Sequence, residues 1–224
     1  QGVVVALCAL PAKPTHTALL SAYSILERAC DAAEAFVAAF RTVRLARKAK
    51  GTATDHEQDL MRAALIFAAA GLDSLVKQLV RDALQIVIAK NTGAHSQFTD
   101  YVQSRLRRTD GADLRFLAEA IASAVPTVHL QQQLVSDLTG SSLQSKDQLL
   151  RVAAYFAIPA AEISKDLGRL QAIFHARNQI AHEMDIILGQ QNRGRRQRKA
   201  GEMKDYASVI LQTASAFYVA VEKR

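Results

Sequence analysis

TDHEQDLMRAALIFAAAGLDSLVKQLVRDALQIVIAK, residues 54–90, is the stretch whose reading decides the fold. Leu65, Ala69, Leu72, Val76, Leu79, Ala83 and Ile86 recur at spacings of 4, 3, 4, 3, 4 and 3, the period of an α-helix with one buried stripe. Asp73, Lys77 and Arg81 fall off that stripe. Thr54 or Asp55 is placed to cap the helix, with Glu57 in its first turn, and the pattern fades at Asn91-Thr92-Gly93.

Working outward, the alanine- and leucine-rich segment Thr17–Lys50 reads as a long helix stopped at Gly51-Thr52. Shorter helices are expected at Ser96–Arg108, Asp113–Ser123, Val128–Leu138 and Lys146–Phe156. Two longer ones follow, Ser164–Leu188 and Met203–Lys223, separated by the polar, basic loop Gly189–Gly201. Ten glycines and four prolines in 224 residues are too few turn-formers for an all-β sandwich. The expected architecture is one all-α domain over 1–224, a bundle of long antiparallel helices. Residues 1–16 read as a segment outside the core, and residues 94–160 as an insertion of short helices.

The longest nearly uncharged run, Ala63–Leu72, is much shorter than the ~20 residues that cross a bilayer, so no membrane partner is expected. Gly2–Leu10 is apolar but has no basic flank, and reads as a packed strand rather than a signal sequence. Two cysteines, Cys8 and Cys30, make neither a disulfide framework nor a zinc quartet and suit a reducing cytoplasm. There is no GxxxxGK[ST] loop. His182-Glu183 would begin a zinc-protease motif only with histidine at 186, where Ile186 stands. No metal or cofactor is expected.

The charge is +7, from 28 basic and 21 acidic residues, which fits a nucleic-acid partner if the cations cluster. They do. Arg41–Lys50 holds five positive charges and no negative one, and Arg105, Arg107 and Arg108 form a second group. RGRRQRK at 193–199 holds five in seven residues. Arg193, Arg195, Arg196, Arg198 and Lys199 read as contacts to an RNA backbone, or else as a solvated loop. The Arg41–Lys50 group sits where a helix dipole favours cations anyway.

The helix before the basic loop carries Phe174-His175-Ala176-Arg177-Asn178-Gln179-Ile180-Ala181-His182-Glu183. Its apolar stripe runs Ile163, Leu167, Leu170, Phe174, and the next position on it is Arg177. A guanidinium delivered to an apolar seam must reach the surface or find a partner. His175, Asn178 and His182 share the adjoining face. His175 either extends this group or is an ordinary core or surface histidine. Asp185 either orients the ring of His182 or is a solvated acid.

Arg177-Asn178, four intervening residues and then His182, late in a helical chain, resembles the motif of the HEPN superfamily. Those helical domains include many ribonucleases of toxin–antitoxin and phage-defence systems. The resemblance implies a HEPN-like bundle acting as a metal-independent endoribonuclease, with Arg177, Asn178 and His182 as the catalytic group. It also implies a homodimer through the motif helix, so that two motifs form one composite site, and a cognate antitoxin or regulatory protein. Nucleotidyltransferase-paired members carry tyrosine two places after the histidine; Met184 stands there, which sets this chain apart from them.

The residue types suit the reaction. An unperturbed imidazole titrates at about pH 6.5 and can take the 2′-hydroxyl proton or protonate the leaving oxygen. Arginine is permanently charged and forked to match phosphate oxygens. Two further readings remain: a HEPN-like dimer that binds RNA or protein without catalysis, and an unrelated helical nucleic-acid-binding regulator in which the Arg/His pair is accidental.

Overall fold

Thr54 opens the central helix with a capping box. Its hydroxyl accepts from the Glu57 backbone N–H at 3.3 Å, while the Glu57 carboxylate accepts from the Thr54 N–H at 2.8 Å. The same carboxylate, buried, holds Arg44 at 3.1 Å and Arg47 at 2.8 Å, so the end of the first helix is tied to the start of the second. The computed structural model describes residues 6–107, 111–189, 191 and 194–224.

The chain is all-α. A 3-10 turn (Thr17–Leu19) leads into α1 (Leu20–Ala46), followed by α2 (Asp55–Lys90) and α3 (Thr92–Leu106). Next come α4 (Gly111–Ala122), α5 (Pro126–Thr139), α6 (Lys146–Tyr155) and the single turn α7 (Ala160–Ile163). The chain closes with α8 (Leu167–Glu183) and α9 (Ala200–Glu222). Among the described residues there is no strand, only an isolated antiparallel bridge between Ile186 and Arg195.

α2 is the axis of the fold, with α1 and α9 packed along it. Its buried band is wider than one stripe: Ala64, Ala68, Leu75, Val80 and Leu84 are buried beside Leu65, Leu72 and Leu79. Ile86, expected in the core, is only half-buried, and Val87 and Ile88 take its place. A helix covered on two sides buries more than a hundred-degree arc. The closest approach of α1 and α2 is at Gly71, where an added Cβ would lie 2.2 Å from the Ala29 Cβ. Over an 18-residue window α2 has a mean hydropathy of 1.5, enough by length and composition to cross a membrane. Counting only uninterrupted apolar runs misses this. In the fold that helix is the core element.

Asn91 ends α2 and caps α3 at once, its side chain accepting from the Ala94 N–H. The middle helices are joined to the core rather than set apart from it. Tyr101 of α3 meets Tyr155 of α6 edge-on at 6.4 Å, and Phe156 meets Phe217 of α9 at 5.9 Å. Residues 6–16 form an irregular segment, not the expected strand. Nor do they lie wholly outside the core: Leu7 and Cys8 are buried, the Leu7 N–H donates to Glu34, and Ser208 donates to the Leu7 carbonyl.

The largest departure from expectation is α8. It begins at Leu167, capped by Asp166, and ends at Glu183 instead of running to Leu188. Met184 and Asp185 both adopt left-handed backbone, φ 54° and 58°, so the chain turns sharply just after His182.

Candidate functional site

α8 places its apolar side inward through Leu170, Ile173, Phe174 and Ala176, with Ile180 at the edge. Arg177 follows on that side and is 8% exposed. It does not reach the surface, and among the described residues no carboxylate pairs with it. Its Nη1 donates to Asn178 Oδ1 at 3.1 Å and lies 3.4 Å from His182 Nε2. Its Nε is buried without a hydrogen-bond partner among the described residues. Burial pulls the guanidinium pKa below its ordinary value, and Asp73 offsets this only in part. Arginine can only donate, so in a hydrogen bond between these two atoms His182 Nε2 is the acceptor.

So the structure brings Arg177, Asn178 and His182 together, with His182 exposed at the helix end. His175 is on the neighbouring turn, exposed, and pairs through Nε2 with Gln179 at 3.0 Å rather than with Arg177. Among the described residues no hydrogen bond joins Asp185 to His182.

Asp185 does something else. It is fully buried and accepts from Arg62 Nε at 2.9 Å and from Arg198 at 2.7 and 3.1 Å. Burial alone would raise its pKa, but the Arg198 and Arg62 hydrogen bonds outweigh it and hold the carboxyl below its usual range. Two consecutive left-handed residues each cost about 1–3 kcal/mol, and such strain persists where surrounding contacts over-determine it. Here the Arg62–Asp185–Arg198 cluster does so, and thereby fixes the turn that leaves His182 at the rim.

In the basic loop, read from sequence as a phosphate-binding strip, three cations have partners within the fold. Arg195 makes a forked pair with Asp59 at 3.1 and 2.7 Å. Arg196 bonds the Ile186 carbonyl at 2.6 Å and pairs with Glu183 at 3.2 Å. Arg198 is taken by Asp185 and by Gln179 Oε1 at 2.8 Å. These three cations anchor the loop to α2 and α8. Lys199 remains exposed, and Arg193 lies outside the described residues.

Sequence reading missed the α2 partners, although the signal was present. Continued backwards from Leu65 at helix spacing, the buried stripe passes through Arg62 and Gln58, both buried. Arg62 donates to Asp185, Asp59 and the Arg196 carbonyl, and Gln58 accepts from the Arg198 N–H. A polar residue on an apolar stripe marks a buried partner wherever it occurs.

Among the described residues no three His, Cys, Asp or Glu side chains group as metal ligands. Comparison with family models, with curated proteins and with solved structures finds no match to this chain.

Proposed function

We propose that this is a HEPN-like, metal-independent endoribonuclease of toxin or defence type, working in a reducing cytoplasm with Arg177, Asn178 and His182 as its catalytic group. The observation that carries the reading is the contrast between the two buried arginines. Arg62 is held by Asp185 and Asp59, the ordinary arrangement for a buried guanidinium. Among the described residues Arg177 has an amide, an imidazole and an orphan Nε, with no carboxylate in ion-pair contact. A buried cation without an anion is costly, and a phosphate at the rim supplies the missing charge.

The chemistry follows from the atoms. A neutral His182 takes the proton of a 2′-hydroxyl; O2′ attacks the adjacent phosphorus as the P–O5′ bond breaks. A protonated imidazole gives O5′ its proton, leaving a 2′,3′-cyclic phosphate and a 5′-hydroxyl. Arg177, turned from His182 to the phosphate, offsets the charge that builds on the phosphorane. One copy of the motif supplies one imidazole, so the second comes from another copy across a twofold axis.

Phe174 is 1% exposed inside its own fold and cannot pack across that axis. Ile180 is also buried. Met184 and Leu188, each 65% exposed beside the helix end, are the apolar residues available for the contact. A regulatory or antitoxin partner would act by covering this rim. The test is direct: single-stranded RNA incubated with the protein in EDTA should yield cyclic-phosphate ends. An absence of cleavage across varied RNAs overturns the reading.

A further inference from the structure

With Arg195, Arg196 and Arg198 committed internally, the unpaired positive surface lies elsewhere. Arg41, Lys48 and Lys50, at the end of α1 and in the turn after it, are exposed and have no ion pair among the described residues. Glu57, at the start of α2, is already held by Arg44 and Arg47. Beside them lies a cleft of about 640 Å³, lined by Phe40, Arg44, Thr52, Arg198 and Lys199. That size falls within the roughly 300–1,000 Å³ typical of ligand sites.

The lining combines two chemistries. Lys199 presents positive charge and has no ion pair among the described residues, while Arg44 is committed to Glu57 and the Gly51 carbonyl. Phe40 contributes a half-buried ring, with the Arg44 guanidinium 5.8 Å from its centroid. Cations along a groove with an aromatic face in its wall are what single-stranded nucleic acid needs: the cations track phosphates while a base stacks on the ring. The cleft is also connected to the motif. Arg198 lines it and donates to Gln179 Oε1, and Gln179 lies three residues before His182 on the same helix face.

We infer that this cleft, with the exposed end of α1, is where single-stranded RNA is held, its strand passing on to the Arg177–His182 rim. The inference rests on the ribonuclease reading for the identity of the strand, and narrows the 193–199 loop's part in binding to its Arg198–Lys199 end, where it faces α1. Binding of a short fluorescein-labelled oligouridylate is measured by anisotropy across a salt series, in a His182→Ala background so that the probe survives. Each phosphate contact on a single strand contributes about 0.7 to the slope of log affinity against log salt. Arg41→Gln/Lys48→Asn/Lys50→Gln should therefore flatten the slope by about 2. Lys13→Gln/Lys165→Gln/Lys223→Gln, which removes the same charge from other exposed positions, should leave it unchanged. Phe40→Leu should weaken binding about tenfold, within the usual range for one stacked base, at an unaltered slope.

RNA bound with the same slope by wild type and by the α1 variant overturns the cleft and leaves the ribonuclease reading standing. RNA held through the cleft but never cut by the protein with His182 intact overturns the ribonuclease reading and leaves the cleft. Failure to bind RNA at all overturns both.

Discussion

Arg177→Met separates an arginine kept for a ligand from one kept for the fold. The substitution retains the linear side chain and its packing against α8's neighbours while removing the charge and the orphan Nε. An unpaired buried N–H costs about 1–3 kcal/mol, so its removal is a gain. Against this stands the loss of one hydrogen bond to adjacent Asn178 and a long 3.4 Å contact to His182. The balance lies between no change and about 2 kcal/mol of added stability. At about 2–4 °C per kcal/mol for a chain of this length, Tm should stay or rise by as much as about 8 °C. Cleavage should fall by roughly 10²–10³, as when a preorganised transition-state donor is removed. A structural arginine behaves oppositely: breaking a buried pair costs about 3–5 kcal/mol. Thermal and urea melts followed by circular dichroism, run beside an RNA cleavage assay, read both quantities. A Tm lowered by more than about 6 °C, or cleavage at the wild-type rate, refutes the assignment of Arg177 to a phosphate.

Asp185→Asn should cost about 3–5 kcal/mol at neutral pH, because it removes the buried negative charge that Arg62 and Arg198 share. The folded pKa of Asp185 is depressed, so its contribution is complete above the unfolded value near about 4 and is lost as pH falls through the folded value. The gap between variant and wild type in pH-dependent melts should accordingly narrow in acid; a constant gap from pH 7 to 3 would contradict the pairing. Gly71→Ala, normally a gain of about 1 kcal/mol inside a helix, should here lose about 1–3 kcal/mol because the new methyl meets Ala29 at 2.2 Å. A stabilised variant in a urea titration would show that the α1–α2 contact is looser. The protein should sediment as a dimer of about twice 24.4 kDa, and Leu188→Glu should shift it toward monomer with loss of cleavage. Excess His182→Ala mixed with wild type should depress activity; full activity from a strict monomer would sink the composite site.

Helix period made the long elements legible, because apolar spacing in residues 54–90 and the Thr54 cap are local facts. The motif trio was legible for the same reason, since positions 177, 178 and 182 share a turn-and-a-half of helix. What could not be read locally was where side chains 123 to 136 residues apart would meet. The pairing of Arg62 with Asp185, and of Asp59 with Arg195, is tertiary. It converts a basic loop that looked free into an anchored one, and ends α8 at Glu183 where propensity alone would continue it. A charge cluster in sequence records cations, not whether each is spoken for. In 193–199 three arginines are bound within the fold, and in Arg41–Lys50 Arg44 and Arg47 are held by Glu57 while Arg41, Lys48 and Lys50 stay exposed.

The most direct measurement is the cleavage of end-labelled single-stranded RNA in EDTA by wild type and by His182→Ala, with the product ends identified. Wild type should generate 2′,3′-cyclic phosphates and 5′-hydroxyls. His182→Ala, in which an exposed side chain is lost from the last turn of α8, should keep its helical circular dichroism and Tm and generate no product. Equal cleavage by the two proteins, or product ends that are not cyclic phosphates, would contradict the assignment of the chemistry to this histidine.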